Sequence, residues 1–463
     1  MKEFDVVVIG SGPGGYTTAV RASQLGFKTA IIERDRLGGI CLNWGCIPTK
    51  ALLKNAELMN GIKHLDNYGI SVDNVKFDFE KIIARSRGVA DASEKGVKYL
   101  MKKNKIDVFE GSGFINKDKS ITITGKDGKE LEQIKAKHII IATGARARQL
   151  GDLKFDEKKV LSSTGALTLT ELPKKMTIVG SGAIGVEFAY FYNAFGTEVT
   201  IIEMLPTIMP VEDKDISDVV AREFKKSGIK ILTETKTEKV EVKGGKVTTK
   251  VSGKSNEDLV SDTVLIAIGV TGNVENMGLE GVGVTVEKGS VKVDKDYKTN
   301  VEGIYAIGDV NGPPWLAHVA SSEGINCIEK IKGMHVPDID YSTIPGCTYC
   351  QPQVASVGLT EKKALEEGYE LNIGKFPFSA NGKSRGTGET AGMVKVIFDK
   401  KYDELIGAHI VGAEATELIM EFVLAKSLEA THEQLLKTVH AHPTLTEANL
   451  EAVGVAYGEA INI

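Results

Sequence analysis

Short apolar runs closed by glycine organise this chain, and one such pattern occurs twice. The segment DVVVIGSGPGGYTTAVRASQLGFKTAIIE (5 to 33) carries an apolar run, GSGxxG, a helical stretch, a glycine, a second apolar run and a glutamate, and MTIVGSGAIGVEFAYFYNAFGTEVTIIE (176 to 203) repeats it. The spacing coincides: Gly10 to Glu33 and Gly180 to Glu203 are both 23 positions, and Gly26 and Gly196 each lie 16 beyond the first glycine. Each copy predicts strand, tight turn, helix, strand, the β-branched runs at Val6 to Ile9 and Thr177 to Val179 leading into the turn. Solenoid units recur every ~20 to 50 residues. Two copies 170 apart instead predict two separate dinucleotide-binding domains.

Three more runs end in the same way: HIIIATGARAR (138 to 148), VLIAIGVTGN (264 to 273) and GIYAIGDV (303 to 310). The third lies beyond the second fingerprint, so the second nucleotide domain is expected to be inserted into the first. The expected fold is α/β: one Rossmann-like domain over 1–145 with a return segment at 276–345, a second at 146–275, and a C-terminal α+β domain over 346–463. This last domain rests on the mixed patterning of MVKVIFD, LIGAHIVG and ATELIMEFVLAKSLEA.

At 463 residues and the usual ~100 to 200 per domain, about three domains fit and a single small module does not. Lys plus Arg number 57 against 62 Asp plus Glu, a net charge of −5 with no basic stripe, which argues against a nucleic-acid partner. No apolar run approaches the ~18 residues of a membrane span. The N-terminal run is five residues long and leads into a glycine turn that the fold must keep, so it does not read as a cleaved signal. Five cysteines, unevenly placed, do not make a secreted disulfide framework, and a cytoplasmic location is expected.

The glycine turns are suited to a pyrophosphate, because the backbone can approach closely and a helix N-terminus supplies N–H donors and a favourable dipole. The closing glutamate can accept from ribose hydroxyls. A 2′-phosphate beside Glu203 would meet repulsion of about 4 kcal/mol at 4 Å and an effective dielectric near 20. The MLPTIMP that follows offers no arginine, so NAD is expected over NADP. GIYAIGDV suggests a strand end presenting Asp309 to a polyol, the alternative being an N-cap for a following helix.

GGICLNWGCIPTK (38 to 50) places Cys41 and Cys46 five positions apart. In a regular helix their Cα atoms would lie at about 8 to 9 Å, beyond the ~7 Å reach of a disulfide. A bridge therefore requires the helix to distort or to begin between them, and Gly38, Gly39, Gly45 and Pro48 permit it. In HAHPTLTE (440 to 447), His442 with Glu447 offers an imidazole and an orienting carboxylate, able to take a proton from a thiol. His440 competes in the same loop. Cys347 and Cys350 form a CxxC without further metal ligands nearby and read as packing residues, as does Cys327; Trp44 reads as a packing variation.

Taken together, the two GSGxxG segments, GGICLNWGCIPTK, ATG at 142 to 144, GIYAIGDV and HPTLTE resemble the flavoprotein disulfide reductases, in order and over essentially the whole chain. The resemblance implies that Gly10, Gly12, Gly14, Gly15 and Glu33 hold the adenosine half of FAD, with Asp309 on its ribityl chain and Gly39, Lys50, Gly113, Thr143, Gly144 and Ala317 lining the cofactor. It implies NAD at Gly180, Gly182, Gly185 and Glu203, with Thr237 and Gly269 near it. Cys41 matches the interchange thiol and Cys46 the thiol against the flavin, the two forming a redox disulfide. Lys50 and Glu187 match a pair near the flavin N5. The plainer reading of the two is an exposed helix lysine and a first-turn glutamate favoured by the helix dipole. In the family, His442 and Glu447 come from the other subunit, which implies a homodimer, and there is no metal.

The activity implied is oxidation of a protein-bound dihydrolipoyl group with reduction of NAD⁺. Partners would be the lipoyl domains of an acyltransferase or the H protein of glycine cleavage. Glutathione-type reductases take NADPH through arginines missing after Glu203. Mercuric reductases and the larger thioredoxin reductases need cysteines nearer the C-terminus, and none follows Cys350. A non-catalytic FAD- and NADH-binding sensor would leave the Cys pair and HPTLTE unexplained together.

Overall fold

The run at Val6 to Ile9 forms the end of the strand Lys2–Ile9, which pairs in parallel with Thr29–Glu33 on one side and Glu130–Ile141 on the other. Val6 and Val8 pack into one hydrophobic cluster, Val7 and Ile9 into another, so both faces of the strand are covered. A parallel strand buried on both faces reads as continuous apolar sequence rather than alternation. The computed structural model describes residues 1–151 and 153–463, which fall into two units: Met1–Leu52, Glu80–Arg148 and Gly269–Ile339 in the first, Leu53–Phe79, Gln149–Ile268 and Asp340–Ile463 in the second.

The first unit is built on a seven-stranded sheet. Ile304–Ala306, the strand of GIYAIGDV, adds in parallel beside Glu130–Ile141 and brings the return segment into the same sheet as the first fingerprint. The helix Pro13–Gln24 packs on Ala317–Ile331, and Gly324 sits so close to Thr18 that a Cβ would stand 2.0 Å from its Oγ1.

The second unit holds a parallel five-stranded sheet in which Lys175–Val179 lies between Glu198–Ile202 and Thr263–Ile266. The helix Ala183–Ala194 is apolar on most sides because it is covered on most sides. Phe77 stacks edge-on to Phe195 at 5.1 Å between centroids, and Phe79 lies 5.9 Å from Phe191.

The C-terminal part of the second unit is an antiparallel five-stranded sheet whose centre is Leu405–Gly412, flanked by Gln353–Gly358 and Met393–Asp399. The helices Ala415–Ser427 and Glu447–Tyr457 cover it over a core that includes Phe376, Phe398, Ile410 and Phe422. Gly374 permits the last helix to approach, since a Cβ there would sit 1.8 Å from the Ala452 carbonyl oxygen. Lys395, 1% exposed, is held by Asp213 at 2.7 Å and by Asp215 and Glu361 at 2.6 Å. Three carboxylates keep this buried ammonium charged, and losing the lysine would leave the buried Asp213 carboxylate uncompensated. The α/β class with two doubly wound sheets and a C-terminal α+β part is the one the pattern predicts. Among the described residues, no helix is long and apolar enough to cross a membrane.

Candidate functional site

Both fingerprints fold into the same turn. Gly10 and Gly180 have φ of +103° and +99°, and a Cβ on either would lie 2.3 Å from a carbonyl oxygen, that of Ala142 or Ala267. Gly15 and Gly185 face the backbone of the first glycine of their own turn, and a Cβ on them would lie 1.9 and 2.1 Å from its oxygen. Gly12 and Gly182, by contrast, would place a Cβ in open space. They are the N-caps of Pro13–Gln24 and Ala183–Ala194, and neither helix has a side-chain cap or an acidic residue in its first turn. Two open helix N-termini with uncapped N–H groups and room above the middle glycine fit two pyrophosphates.

The glutamates do more than the sequence suggests. Glu33 Oε2 accepts from the Ser11 N–H at 2.9 Å and its hydroxyl at 2.6 Å, and Glu203 Oε2 accepts from the Ser181 N–H at 3.1 Å and its hydroxyl at 2.6 Å. The second oxygens accept from Asp35 N and Leu205 N, both at 2.9 Å. Each carboxylate therefore locks the serine of its own GSG, and lone pairs remain for a ribose. The serine repeated at the same place in both motifs was the available signal for this clamp.

Around the first turn, Thr143 Oγ1 donates to Asn273 O at 2.8 Å, which ties the strand end at Gly144 to the stretch that re-enters the first unit at Gly269. Gly14 packs against the backbone of Ala320 in the helix that Ala317 begins, and Gly113 against the side chains of Ile32 and Ile9. Asp309 lies in the short turn Gly308–Asn311, and the next helix starts at Ala317 with Leu316 as its N-cap. The N-cap alternative for Asp309 is thereby set aside. Burial, with Glu323 nearby, raises the Asp309 carboxyl to about 6. Glu323 itself is occupied, accepting from Gly308 N at 2.7 Å. In the second unit, Thr237 sits at an irregularity in the register between Thr235–Lys243 and Lys246–Gly253. Gly269, with φ +104°, belongs to the first unit and follows the strand Thr263–Ile266.

The redox segment is a broken helix. Gly39–Asn43 forms a single short turn that ends at Trp44, with φ −134°, and a new helix, Cys46–Ile62, starts at the second cysteine. The break brings the Cα atoms of Cys41 and Cys46 to 4.7 Å and the two are joined by a disulfide, where an unbroken helix would have kept them apart. The segment is braced against the first nucleotide turn: Gly38 N donates to Ser11 O at 3.0 Å, and a Cβ on Gly39 would lie 2.6 Å from Gly12 Cα. Trp44 has a definite place. Its Nε1 donates to Asp35 Oδ2 at 3.0 Å and the Arg87 guanidinium lies 4.3 Å over its ring, so the turn between the cysteines is pinned from two sides.

At the other end of the chain, His442 Nδ1 donates to Glu447 Oε1 at 2.9 Å, and the imidazole is 79% exposed. Glu447 Oε2 accepts from Thr444 N at 2.8 Å. Its burial works against the charged form, yet the hydrogen bonds from Thr444 N–H and His442 hold the carboxyl below the ordinary range. Fixing Nδ1 as the donor leaves the Nε2 lone pair of a neutral His442 to accept a proton. His440 is differently placed, with Nδ1 on Thr438 O at 2.9 Å and Nε2 on Glu421 Oε1 at 2.7 Å.

Lys50 lies in the helix that Cys46 begins. Glu187 is buried in the second turn of Ala183–Ala194, not the first, and accepts from Tyr349 N at 2.9 Å, which replaces the dipole reading of this residue. Cys347 is half-buried in the strand Gly346–Thr348, and Cys350 is buried with Sγ on Pro352 O at 3.2 Å. Burial pushes the Cys327 thiol up. Among the described residues, no three metal-ligating side chains come together.

Comparison with known proteins agrees with this geometry. Residues 4–324 match the pyridine nucleotide-disulphide oxidoreductase family and residues 344–453 its dimerisation domain. The chain is 50% identical to the dihydrolipoyl dehydrogenase of Rhizobium etli, covering 100% of this chain and 99% of the relative, and 41% identical to that of Bacillus subtilis, covering 99% of each. Among solved structures, LpdA from Mycobacterium tuberculosis superposes with a TM-score of 0.90 at 25% identity, over 98% of this chain and 99% of that one. The HOCl-induced flavoprotein disulfide reductase RclA of Escherichia coli, as its Cu(II) complex, gives 0.88 at 28% identity, over 98% and 99%. The two glycine turns, the disulfide braced against one of them and the matched dimerisation region belong together, and the chain is a member of the pyridine nucleotide-disulphide oxidoreductase family.

Proposed function

We propose that this protein oxidises protein-bound dihydrolipoyl groups to lipoyl groups and reduces NAD⁺, working as a homodimer with FAD. The observation that carries the reading is the Cys41–Cys46 disulfide set on the glycine turn suited to a dinucleotide, in a chain that also ends in an oriented His442–Glu447 pair. The first turn holds the adenosine half of FAD, with Asp309 toward its ribityl chain; the second holds NAD. Bound flavin supplies two-electron transfer between a dithiol and nicotinamide.

The chain's own residues do the sulfur chemistry. His442 Nε2 takes the proton of one dihydrolipoyl thiol, with Glu447 stabilising the imidazolium that forms. The resulting thiolate attacks Cys41 Sγ, the Cys41–Cys46 bond breaks, and Cys46 leaves as a thiolate. The second dihydrolipoyl thiol then closes the lipoyl disulfide and releases Cys41 as a thiol. Two electrons have passed from substrate to the cysteine pair. In the dimer, the His442–Glu447 pair of one subunit serves the disulfide of the other, as the family resemblance implies. The outward side of Ala415–Ser427, where Met420 and Leu424 are exposed, suits a subunit contact.

The partners are lipoyl domains of an acyltransferase or the H protein of glycine cleavage, in the cytoplasm. Glu203, already committed to Ser181 and Leu205, has no cationic neighbour in the sequence that follows to receive a 2′-phosphate, so NAD⁺ is preferred by more than about a hundredfold. The test is steady-state turnover of dihydrolipoamide with NAD⁺ against glutathione disulfide with NADPH. Preference for the second pair overturns the reading.

A further inference from the structure

The loop that carries His442 is anchored at one carboxylate outside the pair just described. Glu421, on the helix Ala415–Ser427, uses both oxygens on this loop and its exit: Oε1 faces His440 Nε2 at 2.7 Å, and Oε2 accepts from Asn449 Nδ2 at 2.8 Å. His440 stands two residues before His442. Asn449 stands two after Glu447 on the same helix, where it is fully buried. One side chain therefore fixes both flanks of the dyad.

The chemistry of His440 follows from its two partners. A carbonyl oxygen and a carboxylate are both acceptors, and both ring nitrogens lie within hydrogen-bond distance of one, at 2.9 and 2.7 Å. Only the doubly protonated imidazolium satisfies both. The side chain is 6% exposed, so the ring is held in place as well as charged. His442 differs in each respect: one nitrogen is on Glu447 and the ring is largely exposed. Two histidines of one loop thus have opposite chemistry, one able to accept a proton and one already carrying it.

Resting on the proposed dithiol oxidation, we propose that Glu421 and His440 are positioning residues, an ion pair that holds the His442–Glu447 dyad where it can meet a substrate thiol, and that His440 itself cannot serve as the base. The Glu421 hydrogen bond, the largest influence on His440, holds its titration above the ordinary histidine range, as this requires.

Flavin reduction in the FAD-loaded dimer separates this role from a general structural one. Reduction by dihydrolipoamide needs the base, whereas reduction by NADH does not. Glu421→Ala is expected to slow the first by about 10²-fold, the low end of what a positioned base contributes, and to leave the second at the parent rate. His440→Ala should do the same, and His440→Gln, which returns an N–H donor toward Glu421, should recover most of the loss. Parent rates with both reductants, equal losses with both, or no recovery in His440→Gln would overturn the proposal.

Should the variants not fold, carbethoxylation of the unaltered holoenzyme at neutral pH, mapped by mass spectrometry, gives an independent answer. His440 is expected to resist while the exposed His64 reacts. Modification of His440 at the rate of His64 would refute the imidazolium. Failure of the underlying reading shows separately, since the parent protein would then not be reduced by dihydrolipoamide at all.

Discussion

The two nucleotide turns are nearly superimposable in their hydrogen bonds and differ in what is attached to them. In both, a glutamate locks the serine of GSG, and that serine's carbonyl then accepts from a residue further along: Gly38 N at 3.0 Å in the first and Met209 N at 3.1 Å in the second. After Gly38 comes the short helix with Cys41; after Met209 comes a turn leading to Asp213. The first glutamate is half-buried and the second buried. One scaffold has thus been used twice, once with the redox segment attached to it and once without. Function here lies in the attachment rather than in the turn.

The sharpest way to break the comparison is to remove the attachment. Cys46→Ser should abolish dihydrolipoamide oxidation while NADH still reduces the flavin, read by anaerobic stopped-flow absorbance. Surviving dithiol turnover would show that the disulfide is not the relay.

Asp309, in the short turn after Ile304–Ala306 of the first unit, should have the next largest effect. Its folded titration near 6 lies above the ordinary carboxylate range, so its contribution to stability is complete at acid pH and is lost as pH rises through about 6. A shift of this size corresponds to about 3 kcal/mol. On top of the opposite dependence set by the carboxylates held below their ordinary range, apoprotein should therefore lose this part of its stability as pH rises through about 6. Asp309→Asn should remove that loss and weaken flavin retention, and an unchanged profile would disprove the assignment.

The glycines provide a matched pair. Gly15→Ala and Gly185→Ala each force a methyl against backbone, at 1.9 and 2.1 Å, and should each cost about 1 to 3 kcal/mol of apoprotein stability. Gly12→Ala and Gly182→Ala meet nothing within 4 Å, so they should leave apoprotein melting unchanged and reduce only FAD or NAD affinity respectively. Equal melting losses in all four would erase the distinction between packing and ligand-facing positions. The smallest effect belongs to Trp44→Phe, which loses the bond to Asp35 and weakens the contact with Arg87, worth about 0.5 to 1 kcal/mol. Calorimetry should detect it, with no change at the second turn.

Much of this was legible in the sequence, because glycine spacing records where backbone must approach backbone and continuous apolar runs record strands covered on both faces. The helix break between the cysteines was legible as a requirement, with Gly38, Gly39, Gly45 and Pro48 around it to permit it. Other features carried no local mark. That Phe77 and Phe79 meet Phe195 and Phe191 depends on residues more than a hundred positions away. The role of Trp44 depends on Arg87 from another helix, and that of His440 on Glu421, which sits in an otherwise ordinary amphipathic stretch. Side-chain partners distant in the chain are what periodicity cannot express.

The helix that starts at Cys46 makes two chemically identical sulfurs unequal. Once the bridge is reduced, Cys46 Sγ lies at the positive end of a seventeen-residue helix, whereas Cys41 lies in the middle of a single turn. The partial charge at that end stabilises an anion and so favours the thiolate of the sulfur that stands there. Reduced protein should thus keep its negative charge on one particular sulfur and its proton on the other, a polarity set by where the backbone chooses to begin coiling.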